Sequence, residues 1–193
     1  MSRKDDILKN VKRHISVRYD MPDIEHIAGL EYDDKLAKFM QMCEAVGGSA
    51  RILKQGEDLN ELVQSLYPEA EHIASNLPEI SIATINPDEI DNPHELNGTD
   101  LAIVKGELGV AENACVWIPQ NVRQKVVYFI SEYLVIVLDK SKIVSNMHEA
   151  YEQIEFNDYG FGVFISGPST TADIEQSLVI GAHGAKGLTV VLS

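Results

Sequence analysis

The spacing of apolar residues predicts three helices in the first third of the chain, over residues 5–15, 33–46 and 58–66. Each stretch repeats its apolar positions every three or four residues, which places them on one helical face. The first helix is followed by a less regular stretch, whereas the others lead directly into apolar runs. We therefore interpret residues 1–30 as an N-terminal helical arm and residues 31–193 as a single α/β domain.

Short apolar runs in the rest of the chain predict strands. These runs are residues 50–53, 72–75, 80–84, 101–104, 114–118, 133–138, 161–166 and 188–192. Helical patterns between them are weaker and cover residues 122–130, 146–154 and 171–178. The run Tyr133–Leu138 has no polar residue between its ends, which is typical of a fully buried parallel strand. The alternation predicts an α/β fold with a mainly parallel sheet and helices on both faces.

Composition and charge limit the classes of partner. The chain has 193 residues, of which 45% are hydrophobic, and a net charge of −14. An acidic surface repels nucleic acid and anionic membranes, so neither is expected as a partner. The charged start lacks the apolar region of a secretory signal, and no apolar run is long enough to cross a bilayer. We expect a cytoplasmic protein.

Metal and cluster sites are not expected either. The two cysteines, Cys43 and Cys115, lie 72 positions apart and cannot by themselves supply the four thiolates of an iron–sulfur or zinc site. The histidines and carboxylates show no spacing typical of a metal site. The cysteine count and the absence of a nucleotide fingerprint predict that this chain binds no cofactor.

The segment Gly167–Glu175, GPSTTADIE, is the first candidate for chemistry. It follows the predicted strand 161–166, and ligands of open α/β sheets bind outside the carboxyl ends of the strands. Gly167 permits a sharp turn, and three hydroxyls at a predicted helix start favour a small anionic ligand. They belong to Ser169, Thr170 and Thr171. An ordinary helix cap explains the same residues, and both interpretations stay open.

The second candidate is Gly181–Gly187, in which glycines surround His183. Imidazole titrates near neutral pH and is a common general acid or base. Because the preceding connection is short, we expect His183 to lie beside the 167–173 loop, held by the carboxylate of Asp173 or Glu175. Gly184 would let the backbone approach a ligand. The alternative is a histidine that hydrogen-bonds a turn.

A third candidate is the turn predicted between strands 101–104 and 114–118, which contains Glu112. Its carboxylate could face the crevice at the carboxyl edge of the sheet and contact a ligand there. The alternative is a tight connection that carries a solvent-exposed acid.

Residues 167–192 resemble the C-terminal signature of the lactate-utilisation (LUD) domain family. In that signature a GPS-x-TADIE run is followed by G-x-HG and a last apolar strand, and Thr99 onward resembles the family more loosely. The family's middle turn, A-[DE]-T-G-T, is replaced here by Ala111–Cys115, and its HGP by His183-Gly184-Ala185. The resemblance implies a fold like that of ribose-phosphate isomerases and CoA transferases.

The resemblance also implies an accessory role in the oxidation of lactate to pyruvate, beside partner proteins that carry iron–sulfur clusters. Two other functions remain open. The altered middle turn favours a ligand-binding or regulatory module without catalysis. The fold's relatives suggest an independent enzyme that acts on a small phosphorylated or carboxylate substrate.

Overall fold

The computed structural model describes residues 3–15, 17, 19–20, 29–155, 160–171 and 179–193. The helices are α1 (Arg3–His14), α2 (Lys35–Ala45), α3 (Leu59–Leu66), α4 (Val127–Ile130) and α5 (Met147–Gln153). The strands are β1 (Ser49–Ile52), β2 (Ile73–Ala74), β3 (Leu101–Lys105), β4 (Leu108–Val110), β5 (Cys115–Pro119), β6 (Tyr133–Leu138), β7 (Ile143–Val144), β8 (Gly162–Ile165), β9 (Thr170–Thr171), β10 (Val179–Ile180) and β11 (Gly187–Leu192).

Side-chain caps begin the helices close to the predicted positions. The Asp34 carboxylate accepts the amide N–H of Ala37 at 2.9 Å ahead of α2. Asp58 accepts those of Asn60 and Glu61 ahead of α3, and these hydrogen bonds lower the pKa of Asp58. Such caps satisfy amides that have no partner within the helix.

A parallel sheet forms the centre of the domain, in the strand order β1-β11-β6-β3-β2. β6 pairs in parallel with both β11 and β3, and Tyr133 lies level with Gly187 and with Leu101. The uninterrupted apolar run of β6 occupies the middle of the sheet, because that position is covered on both faces. The expected α/β fold with a mainly parallel sheet is confirmed.

Different helices pack against the two faces of this sheet. Leu134, Ile136 and Leu138 of β6 belong to a core shared with Phe39 and Cys43 of α2. The alternate residues of β6, Val135 and Val137, belong to a core shared with Val63 of α3. Successive side chains of a strand point to opposite faces, so one apolar run serves both cores.

A second, smaller sheet has the order β7-β4-β5-β8 and is mixed, with β4 and β8 antiparallel to β5. The prediction of a simple turn over residues 106–113 is therefore wrong, because β4 lies inside it. β8 is the predicted strand 161–166, and it joins this second sheet rather than the central one. The predicted strand over residues 80–84 is also wrong, since they form a loop in which the Thr84 amide donates to the carbonyl of Ile73 in β2.

The helix predicted over residues 171–178 is replaced at its start by a strand. Thr170 and Thr171 form β9, which pairs antiparallel with Val179 and Ile180 of β10. The rest of that prediction, residues 172–178, lies outside the described residues. None of the described helices is both long and apolar enough to cross a membrane.

Candidate functional site

A cavity of about 260 Å³ lies where the two sheets approach each other, beside the loop after β8. It is bounded by α4, by the first residues of β6 and β11, by β8 with its loop, and by the segment before β11. The lining residues are Tyr128, Phe129, Leu134, Val163, Phe164, Ile165, Ser166, Gly167, Pro168, Ser169, His183, Gly184, Ala185 and Leu188. The cavity therefore contains the centres of both motifs that the sequence singled out.

Gly167 attaches the loop to the end of α2. Its φ of +64° is in the left-handed region, and a Cβ there would lie 2.5 Å from the carbonyl oxygen of Val46. The next residue, Pro168, packs beside Gly47 at the same helix end. Only glycine combines this conformation with so close an approach. The GPS sequence thus fixes where the loop leaves β8.

Backbone hydrogen bonds join this loop to the histidine segment. The amide of Ser169 donates to the carbonyl of Ala185 at 2.8 Å, and the amide of Gly181 donates to the carbonyl of Ser169 at 2.8 Å. A Cβ on Gly184 would lie 3.1 Å from the Cβ of Ser169, so glycine permits the close contact. The structure therefore brings Gly167, Ser169, His183 and Gly184 together around one cavity.

The position of this cavity differs from the expected carboxyl edge of the parallel sheet. Leu134 and Leu188 lie near the amino ends of β6 and β11, and the histidine segment precedes β11. The loop does follow the carboxyl end of β8, but β8 belongs to the smaller sheet. The site therefore lies where the carboxyl end of a strand in one sheet meets the amino edge of the other.

Several predicted site residues lie elsewhere. Thr170 and Thr171 are not cavity-lining residues, because they form β9 instead of a helix start. The helix start expected at Thr171 is therefore replaced by a strand, and the expected contact of these threonines with an anion stays a prediction. Asp173 and Glu175 lie outside the described residues, so their expected contact with His183 stays a prediction.

The Glu112 carboxylate contacts the amino terminus of α5. Its carboxylate accepts the amide of Met147 at 2.8 Å, at the first residue of α5. A carboxylate at a helix amino terminus satisfies a free amide and suits the helix dipole. Glu112 is not among the lining residues of this cavity, and its expected role as a ligand contact stays a prediction.

The altered middle turn nevertheless borders the cavity. The hydroxyl of Ser166, a lining residue, donates to the carbonyl of Asn113 at 2.7 Å. Ala114 stands where the LUD signature has glycine, and its φ of 55° is left-handed. That conformation costs an alanine about 1–2 kcal/mol, which explains why a glycine suits this position.

The lining is mostly apolar, and its titratable groups within the described residues are Tyr128 and His183. Burial raises the pKa of Tyr128 to about 12, so its hydroxyl stays neutral and donates to Asn121. An anion bound here would rely on hydroxyls, amides and His183 rather than on a lysine or arginine of that lining. Tyr128 and Phe129 lie in the predicted helical stretch 122–130, and Ser166 ends the predicted strand 161–166, so none of the three was a candidate site residue. For Ser166 the signal was its position directly before the 167–175 motif.

The donor sets of the described residues contain no group of three or more His, Cys, Asp or Glu placed to hold a metal ion. Cys43 is buried in the core, which raises the pKa of its thiol to about 12. Burial also raises the pKa of Cys115. Neither thiol has the low pKa typical of a metal ligand or a nucleophile.

Comparison with known families defines the class of protein. The LUD domain model matches residues 83–193, more than half of the chain, and the chain belongs to this family. A crystal structure of a DUF162 family protein from Deinococcus radiodurans shares the fold, with a TM-score of 0.64 and 14% identity. That likeness covers 85% of this chain and 99% of the other.

Among curated relatives, the chain is similar to the Lactate utilization protein C of Geobacillus thermodenitrificans. The two are 31% identical over 133 residues, which is 65% of this chain and 52% of the relative. The protein of the same name from Shouchella clausii is 35% identical over 92 residues, 44% of this chain and 40% of the relative. The chain thus spans about half the length, or less, of these relatives.

Proposed function

We propose that this chain is a component of a lactate utilisation system. In this proposal it is an accessory subunit in the oxidation of lactate to pyruvate, beside partner proteins that carry iron–sulfur clusters. The similarity to relatives named Lactate utilization protein C carries the proposal, since it extends over 65% of this chain in one of them. Membership of the LUD domain family supports it.

The assignment of the electron carriers to partners follows from the thiol content. The chain has two cysteines, and an iron–sulfur cluster commonly takes four thiolates. Cys43 is buried inside the core and cannot reach a cluster without disrupting the packing around α2. In this proposal the electrons removed from lactate pass to clusters that other proteins supply.

The cavity is the proposed site for a small carboxylate such as lactate or pyruvate. Its volume of about 260 Å³ is slightly below the usual range for ligand sites, which suits a molecule of few atoms. Ser169 and His183 offer polar contacts for a carboxylate or hydroxyl, while Val163 and Leu188 offer apolar contacts for a methyl group. His183 is the proposed general acid or base, and Gly167 and Gly184 shape the site.

Reconstitution tests the role in oxidation. We expect no lactate turnover by the purified chain with a nicotinamide or dye acceptor, and turnover once the iron–sulfur partners are added. His183→Ala should lower the reconstituted rate by about 10²-fold or more if the imidazole transfers a proton. His94→Ala removes an exposed imidazole that is not part of the cavity lining and is the matched control. Turnover by the single chain, or full turnover without it, would refute the accessory role.

Ligand binding is tested separately by thermal shift. A ligand that binds the folded state raises the melting temperature in proportion to the logarithm of its concentration above Kd. We expect lactate or pyruvate to stabilise the protein, and Ser169→Ala to reduce that shift. Ser65→Ala, on the exposed side of α3, should leave it unchanged. Equal shifts in both variants would place the ligand outside this cavity.

A further inference from the structure

The first helix, α1, has an apolar stripe that the described chain does not cover. No residue of α1 is buried. Ile7 is 57% exposed, Leu8 49% and Val11 54%, and Ile15 just beyond the helix is 48% exposed. An isolated helix of 12 residues is marginal in water, and most helices in proteins gain their stability by packing such a stripe. The stripe therefore points to a docking surface.

The charge of this segment is opposite to that of the rest of the chain. Residues 1–18 contain six Lys or Arg and two Asp, a net charge of +4. Residues 19–193 contain ten Lys or Arg and 28 Asp or Glu, a net charge of −18. A cationic helix beside so acidic a body will be attracted to acidic protein surfaces, and every copy of this chain provides one.

We infer that α1 docks on the acidic α/β body of a second copy of this chain, so that two copies exchange their helices. A twofold arrangement makes the same contact twice, which is the commonest form of a homodimer. Burial of the stripe supplies the non-directional attraction, and Lys9 and Lys12 on the same helix supply the charge complementarity. An anionic membrane is the less favoured occupant, because the acidic body would be repelled from its surface.

Sedimentation of the full chain tests this inference. At about 20 mM salt we expect a concentration-dependent species of twice the chain mass, with a Kd that rises about tenfold or more at 0.5 M salt as charges are screened. The double variant Lys9→Glu/Lys12→Glu should weaken association by about tenfold or more. The matched control, Lys54→Glu/Lys105→Glu, changes the net charge equally at exposed positions of the body.

A separate variant tests how much the apolar residues of α1 contribute to association. Leu8→Gln/Val11→Gln keeps the charge of α1 and substitutes a residue that favours helices. We expect it to weaken association as well, which distinguishes docking of the stripe from general attraction between charges. Circular dichroism of each variant checks that the body remains folded.

Three results would overturn the inference. One is a chain that stays monomeric at about 100 µM and low salt, where a contact of micromolar Kd would be saturated. Another is a dimer that the α1 variants and the body control weaken equally. The third is a monomer whose α1 binds vesicles of phosphatidylserine and phosphatidylcholine, which would assign the helix to a membrane surface.

Discussion

Replacement of Gly167 by alanine tests how the candidate site is held in place. The added Cβ would lie 2.5 Å from the carbonyl oxygen of Val46 and 3.0 Å from its Cγ2. Backbone cannot rotate away as a side chain can, so the 167–169 loop must separate from the end of α2. Overpacking of this kind costs about 1–3 kcal/mol. The left-handed φ of +64° adds about 1–2 kcal/mol for an alanine.

Gly56 provides the matched control. Its φ of +83° is also left-handed, but a Cβ there would have no atom within 4 Å. Gly56→Ala therefore carries the conformational cost alone, about 1–2 kcal/mol. The stiffer unfolded chain offsets about 0.4–1 kcal/mol in both variants. The difference between them isolates the clash with Val46 and should be about 1–3 kcal/mol.

Urea unfolding of both variants measures this difference. At this chain length about 1 kcal/mol corresponds to 2–4 °C in Tm, so thermal unfolding should give Gly167→Ala a Tm several degrees below that of Gly56→Ala. The lactate-dependent thermal shift should be weakened in Gly167→Ala alone, because the loop that carries Ser169 moves. Equal losses of stability in the two variants would show that the loop is not held against α2 as described.

Three further predictions concern ionisable groups. Tyr128→Phe removes a buried hydroxyl that donates to Asn121, and it should lower the free energy of unfolding by about 1 kcal/mol, whereas an unchanged urea midpoint would contradict the contact. The pKa of Asp100 is lowered by hydrogen bonds from the amides of His72 and Glu71, so its ionised form stabilises the fold above the usual carboxyl range. That contribution to stability is lost as the pH falls through the pKa of Asp100 in the folded state. Because the carboxylate is partly exposed, Asp100→Asn should lower the free energy of unfolding by less than about 1 kcal/mol at pH 7. The loss should be smaller still near pH 3. If the loss of stability in Asp100→Asn instead grew as the pH fell, ionised Asp100 would not be the form that stabilises the fold. Burial raises the pKa of the Cys43 thiol to about 12, so a thiol reagent at pH 8 should modify Cys115 first and Cys43 only after unfolding; the opposite order, seen by peptide mass mapping, would count against the described core.

Local patterns predicted the elements whose environment is simple. The helices near residues 33–46 and 58–66 and the strand Tyr133–Leu138 lie within a residue or two of their predicted bounds. Their apolar periodicity reflects a single requirement, burial against the central sheet, and their caps are formed by neighbouring residues. The two site motifs were also visible, because glycines beside hydroxyls and a histidine are unusual within an apolar pattern.

Errors arose where pairing with another strand decides the conformation of a short segment. Residues 108–110 form β4 because they pair with β5 and β7, and the sequence of these three residues alone does not predict that pairing. Thr171 extends as β9 because Val179 returns beside it, although its local sequence suits a helix cap. Short segments have weak intrinsic preferences, so tertiary pairing decides their conformation.

The chain's sequence by itself thus determined the fold class, the central strand and the residues from which a site could be built. The tertiary structure decided which of those residues meet. Gly167, Ser169, His183 and Gly184 share a cavity because Ser169 bonds to the backbone on both sides of the histidine. Glu112 turns to the amide of Met147 instead. Such choices depend on contacts between residues 12 to 35 positions apart, and no local periodicity encodes their geometry.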